Sequence, residues 1–242
     1  MRWFRRGPRE PASPAPAPIV LDPAFVEAFR AVGLAAFDRQ LGLAELVGDR
    51  DWQYERDRGT IRFGSDLELR VQNLGSVSHN DGSWLWAWAN PTSPQQTSAR
   101  SQELRRLGEE RGIAFLVEPQ VVADAYAGGH GMGLIASGLL DADAYYRCPS
   151  PGGEVVLLVE APGIRAWSPE PGGRAAAAIL GCIQVLGIPP SRASVVAYLR
   201  SLGLPVTETA GEVRAEGVNP ITITFDELGR MTDVQGRVPA PR

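Results

Sequence analysis

The side chains able to do chemistry near neutral pH are few. His79 and His130 are the only histidines, and each sits in a short run with other reactive types. His130 lies inside GGHGMG, residues 128–133. Its glycine neighbours leave the imidazole reachable, and an ordinary pKa of ~6.5 suits it to proton transfer. Successive glycine amides can also cradle an anion. The run nevertheless lacks GxGxxG spacing and follows no convincing strand, so close packing of a small-residue helix on a sheet explains it better. His79 belongs to SHNDGSW, residues 78–84, with Asn80, Asp81 and Ser83. A base and a nucleophile stand there side by side, but Asn-Asp-Gly is hairpin-turn chemistry and consecutive turn residues rarely converge. His79 beside Asp81 keeps the means to hold a weak ligand at a sheet edge.

The third cluster is DADAYYR, residues 141–147, with Asp141, Asp143, Tyr145, Tyr146 and Arg147. Two carboxylates and an arginine can orient a polar substrate. The competing reading is a helix-to-strand corner carrying an aromatic cross-strand pair. Taken together, His130, His79, Asp143 and Tyr146 are the side chains that would serve a cleft between a sheet and the 121–147 segment. No G-x-S-x-G, HExxH or EF-hand pattern accompanies them.

Composition removes whole classes of chemistry. All 24 basic residues are arginine. With no lysine there is no Schiff base, no phosphate-loop lysine and no kinase-type lysine. Two histidines cannot make a three-histidine metal site, so no metal or cofactor is expected. Cys148 and Cys182 form no CxxC pair and are too few for a disulfide scaffold, which points to a reducing, cytoplasmic setting. The net charge of -4 offers no basic field for nucleic acid. No apolar run approaches the ~20 residues that span a bilayer, so no integral membrane contact is expected.

These clusters need elements to hold them. Residues 1–20 read as a Pro/Ala-rich tail, ending in PASPAPAPIV, that buries nothing. Its MRWFRR start could graze an anionic membrane surface, although a frayed polar tail is the better reading. Asp22-Pro23 opens a helix to about Gly48, with Phe25, Phe29, Val32 and Ala36 as the stripe that should lie on a sheet. DWQYER, TIRF and LELRVQNL then alternate apolar and polar residues between tight turns, with a bulge expected near Gly75. They form an antiparallel meander that runs into WLWAWAN, residues 84–90. That stretch places Trp84, Trp86 and Trp88 on one strand face and smaller apolar groups on the other. An apolar pattern on both faces predicts a central, doubly covered strand rather than a stacking platform for sugar, base or cation.

Ser93-Pro94 begins a polar surface helix that Gly112 stops, and a helical or irregular segment covers about 121–140. AYYRC and EVVLLVE flank Pro149 to Gly153 as a hairpin that joins the same sheet. Residues 161–173, rich in proline and glycine, read as a linker or surface crossing. Residues 174–238 form a smaller helix-and-meander unit that repeats the element order of the first half. The fold expected is α+β: an antiparallel sheet with helices packed on it in a main domain of residues 21–160, followed by that C-terminal unit.

WLWAWAN, the SHNDGSW turn before it and GLIASGLLDADAYYR after it together resemble an uncharacterised bacterial domain-of-unknown-function family. Similar proteins carry a hydrophobic helix ending in GDRDW and an A-S-G-L-L-x-A-D-A-Y-Y-R segment. The resemblance is good over about residues 25–160 and implies no activity, cofactor or catalytic residue. Function is therefore read from the residues. The leading expectation is a non-catalytic cytoplasmic module that binds protein or is regulated through binding; the alternative is a small-molecule binder or enzyme with a cleft near 121–147.

Overall fold

A computed structural model describes residues 21–166 and 171–236; the N-terminal tail lies outside them. Helix α1, Pro23–Val47, starts where predicted. The Asp22 carboxylate accepts the Ala24 and Phe25 N–H groups at 2.8 and 3.0 Å, and Gly48 at φ +55° ends the helix. Four strands follow: β1 (Trp52–Glu55), β2 (Thr60–Phe63), β3 (Leu67–Ser78) and β4 (Ser83–Trp86). All pair antiparallel in sequence order, as the turn signals required. Two helices, α2 (Ala99–Arg111) and α3 (Ala114–Val117), lead to β5 (Gln120–Val122) on the far side of β4. Helix α4 (Gly128–Leu139) precedes the hairpin β6 (Ala144–Ser150) and β7 (Gly153–Glu160), which joins the sheet through β3.

The centre of this sheet is β3, not the tryptophan strand. Arg70 has both Thr60 of β2 and Glu160 of β7 as register partners, while Val77 has Trp84 of β4 and Glu154 of β7. Strands β2 and β4 therefore line one edge of β3 end to end, and β7 runs along the other. The WLWAWAN run stops being a strand at Trp86 because the chain turns there, closed by Ala89 N–H to Trp86 O at 3.0 Å. Trp84 and Trp86 are buried side by side, centroids 5.2 Å apart and nearly perpendicular. Trp88 lies past the end of the strand: its backbone N–H bonds Ser101 Oγ, and the Arg105 guanidinium lies 4.7 Å from its ring centre. The tryptophans serve the core, Trp84 and Trp86 fully buried in it and Trp88 partly buried against the same cluster.

The bulge expected near Gly75 falls between Asn73 and Gly75 opposite β7. An extra residue in one strand reverses its alternation. Val71 and Val77, an even number of residues apart, accordingly pack on opposite faces, Val71 with Ile61, Phe63 and Leu157 and Val77 with Trp84, Trp86 and Val156. Gly75 is required here because a Cβ would sit 2.5 Å from the Trp84 ring.

A second correction concerns what covers the sheet. Helix α1 packs chiefly on α4, α5 and α6 and meets the sheet at its edge strand β6, where Gln40 Oε1 accepts the Tyr145 N–H at 3.2 Å. Its phenylalanines meet other aromatics, with Phe25 edge-on to Phe115 and Tyr126. The helix that lies on the sheet is α4, against β3, β6 and β7. GGHGMG is the reason. A Cβ at Gly133 would meet the Tyr145 ring at 2.4 Å, and one at Gly131 would meet Tyr126 O at 1.9 Å. The close-packing reading of this run is the one the structure bears out.

Ala161 and Ile164 are buried, the latter in a single 3-10 turn at Pro162–Ala166. Helices α5 (Pro171–Leu186) and α6 (Arg192–Ser201) then lead into a four-stranded antiparallel sheet of β8 (Val206–Glu208), β9 (Glu212–Ala215), β10 (Ile221–Phe225) and β11 (Met231–Gln235). The fold is α+β. One hydrophobic cluster runs from Trp84 through Phe29, Phe37 and Ile179 to Val213 and Phe225, so the C-terminal elements share the core of the main sheet. No helix among the described residues is long and apolar enough to cross a membrane.

Candidate functional site

The four side chains that would have served a common cleft lie in separate places. His79 is exposed in the β3–β4 turn, where its backbone N–H bonds Gly152 O in the β6–β7 turn at 3.1 Å. Tyr146 points to the opposite sheet face from its neighbour Tyr145 and packs edge-on against Phe63 and Trp52. Asp143, at the start of β6, accepts the Ala161 N–H through Oδ2 at 2.9 Å, which pins the entry of β6 to the exit of β7. His130 stands at the other end of α4, in its first turn.

Around His130 the structure does assemble a polar cluster. Its Nδ1 is 2.9 Å from the hydroxyl of Tyr145, a residue 2% exposed. Burial raises the Tyr145 pKa well above 10, so the phenol keeps its proton. The phenol and Nδ1 share one hydrogen bond, whose donor is set by the imidazole tautomer. Partial burial lowers the His130 pKa from 6.5, the Arg147 guanidinium acts in the same direction, and the Glu154 carboxylate opposes both. Arg147 and Glu154 form a salt bridge across the hairpin, Nε to Oε2 at 2.7 Å. Glu154 is 5% exposed and lies against Gly129, where a Cβ would fall within 2.1 Å of Oε1. The carboxylate thus packs against the first turn of α4. The cluster holds an imidazole by one hydrogen bond and disfavours its charged form, and it does so at an exposed residue rather than in a pocket.

The larger concavity lies elsewhere. Past the bulge toward its N-terminal end, β3 turns Glu68, Arg70 and Gln72 to the same sheet face that α4 covers further along. There the face is bare. A hollow of about 680 Å³ opens over it, floored by Thr60, Glu68, Arg70 and Glu160 and walled by Asp57, Arg58, Gln96 and Thr97. A smaller hollow of about 320 Å³ continues from Gln72 and Glu160 past Arg100 to Asp141 and Asp143. One wall is firmly built. Gln72 Oε1 accepts the Ala99 N–H at 3.1 Å, capping α2 where Ser98 makes no side-chain cap, and its Nε2 donates to Gln96 O. Gln96 in turn donates to Asp57 O at 3.3 Å.

The bare face was partly visible in LELRVQNL, whose alternation puts Glu68, Arg70 and Gln72 on one side. What the pattern cannot give is Glu160 beside Arg70, which needs the pairing of β3 with β7, nor the wall from the 95–100 segment. Among the described residues, no group of three or more His, Cys, Asp or Glu side chains has the geometry to hold a metal ion.

A family model, DUF6882, described as a family of unknown function, matches residues 27–162. The chain belongs to that family. The match takes in the whole seven-stranded sheet, both hollows and the His130 cluster, and ends before α5. No curated protein and no solved structure matches the chain.

Proposed function

We propose that this chain is a non-catalytic, cytoplasmic protein-binding module, and that the polar trough along β3 is its binding face. The observation that supports this reading is the uncovered stretch of the main sheet: helices close the rest of that face, while Thr60, Glu68, Arg70 and Glu160 remain open between firm walls. A broad, shallow and polar floor suits a segment of another protein better than a small apolar ligand, which favours enclosed sites with few polar groups. The reducing compartment is supported by two buried free thiols.

The test is steric. Thr60→Trp would fill the trough without changing its charge. A partner captured by the full-length chain from native lysate, and lost with T60W at unchanged thermal stability, supports the reading. Equal recovery by both proteins removes it.

A second reading, a small-molecule site, draws on one observation: His130 Nδ1 is hydrogen-bonded to a buried tyrosine hydroxyl. A thermal-shift screen with nucleotides, sugars and acids addresses it, since a ligand at 100 times its Kd stabilises by ~2.7 kcal/mol. A hit that survives H130A would show that the histidine is not part of the site.

A further inference from the structure

The trough's charges identify the chemistry of its occupant; the inference rests on the binding-face reading above. Of the eight charged residues lining the two hollows, four are engaged. Arg58 pairs with Glu55 at 3.2 Å, Arg100 binds Glu103 and Leu140 O, Asp141 lies 3.5 Å from Arg39, and Asp143 accepts from Ala161. The other four, Asp57, Glu68, Arg70 and Glu160, form no ion pair among the described residues, and all are exposed. Register should have paired some of them. Arg70 stands opposite Glu160, and Glu68 stands opposite Arg62. Directly opposed unlike charges in adjacent strands usually gain from contact. Here Arg62 turns instead to Gln53, which leaves Glu68 uncompensated, and Arg70 does not close on Glu160. Three free carboxylates therefore face the trough with one free guanidinium.

We propose that the trough receives a net-basic, extended segment of a partner protein, its lysine or arginine side chains meeting Asp57, Glu68 and Glu160. Arg70, between two carboxylate positions on the floor, selects for a segment whose basic residues are interrupted by an acceptor, either an acidic side chain or a backbone carbonyl. Gln72 and Gln96 are tied down by their own bonds and give the segment a fixed wall. The surface charge arrangement steers the encounter and sets specificity more than it adds affinity.

The experiment measures binding of short synthetic peptides of matched length, basic (Arg/Lys with Gln and Ser), acidic and neutral, to the full-length chain and to an E68Q/E160Q variant. The basic peptides should bind the unaltered chain best, lose roughly tenfold in affinity with the double variant, and weaken as salt rises. Equal binding of basic peptides by the variant would overturn the proposal, because attraction to the overall negative charge would then be the whole effect. Preference for acidic or neutral peptides, or no binding by any, would overturn it as well. If T60W abolishes capture of a protein partner while E68Q/E160Q does not, the trough is a binding face for a partner that is not basic.

Discussion

Asp38 and Arg174, 136 positions apart in the chain, form an ion pair almost wholly shielded from water. The guanidinium meets the carboxylate through Nε and one terminal nitrogen, one to each oxygen. Asp38 belongs to the family-matched part, and Arg174 to the helix that follows it. The pair thus joins α1 to α5 where the two halves of the core meet. Burial alone would lower the Arg174 pKa, but the hydrogen bonds and charge of Asp38 more than offset it and hold the arginine charged. Tyr198 of α6 lies beside the pair, its hydroxyl pushed well above its ordinary pKa by burial and then by Asp38.

Breaking this pair should cost far more than its net worth. Arg174→Ala leaves the buried Asp38 carboxylate uncompensated, a loss of roughly 3–5 kcal/mol, and Asp38→Ala takes from Arg174 its buried carboxylate partner. The double change Asp38→Leu/Arg174→Met removes both charges and should recover most of that loss. Urea unfolding of the three variants checks the prediction. Single variants as stable as the unaltered chain would show that the pair is solvated in solution.

His130 should titrate below the ordinary ~6.5 for a histidine. Burial and Arg147 both disfavour its charged form. Arg147→Gln removes the cation and frees Glu154, so both effects raise the His130 pKa. The sign for stability follows from linkage. The unfolded chain takes up a proton at about pH 6.5 and the folded chain only lower, so this group's contribution is full above pH 6.5 and is lost as pH falls through the folded value. Proton NMR of the ring gives the pKa directly, and H130N should flatten the loss of stability over that window. A His130 pKa at or above 6.5 would show that partial desolvation and Arg147 do not outweigh Glu154.

The glycines of α4 make the sharpest packing prediction. Gly131→Ala would drive a methyl group into Tyr126 O, and Gly133→Ala would press on the Tyr145 ring. Each should destabilise by at least ~1–3 kcal/mol, the usual cost of overpacking. Gly133→Ala should also disturb the His130 titration through Tyr145. Gly152, where an added Cβ would meet nothing within 4 Å, is the control: Gly152→Ala should be close to neutral. Thermal melts of the three variants decide it.

Local signals in the chain produced local structure. Asp22-Pro23 capped α1, Asn80-Asp81-Gly82 turned β3 into β4, and Pro149 to Gly153 joined β6 to β7, because each depends on contacts only a few residues apart. Relations set by distant partners were not legible. WLWAWAN is apolar enough for a central strand, yet centrality belongs to β3, whose length lets two strands share one edge. The phenylalanine stripe of α1 required an apolar partner, but nothing in its spacing says that the partner is mostly helical. The same limit governs the sites. Tyr145 stands beside Tyr146 in the chain, and only strand parity and the position of α4 decide which of them reaches His130. Glu154 and Glu160 bound the same apolar strand in the chain; one packs against the first turn of α4 and the other lines the trough floor.

Cys148 and Cys182 should be chemically silent in the folded chain. Burial pushes the Cys148 thiol up to about 12, with Glu154 adding to the shift, and burial raises Cys182 as well. At about pH 8.5, where an ordinary free thiol is half ionised, neither presents appreciable thiolate. An aromatic disulfide reagent should therefore label neither cysteine in native protein and both in guanidinium. The sign for stability is the reverse of the histidine case. Above about pH 8.5 the unfolded chain releases these protons while the folded chain keeps them, so the stabilisation present below that pH is lost as pH rises toward the folded values. Cys148→Ala and Cys182→Ala should each reduce that alkaline loss, measured by urea unfolding at a series of pH values. Rapid native labelling of either thiol would mean that the packing around it opens far more often than the buried core implies.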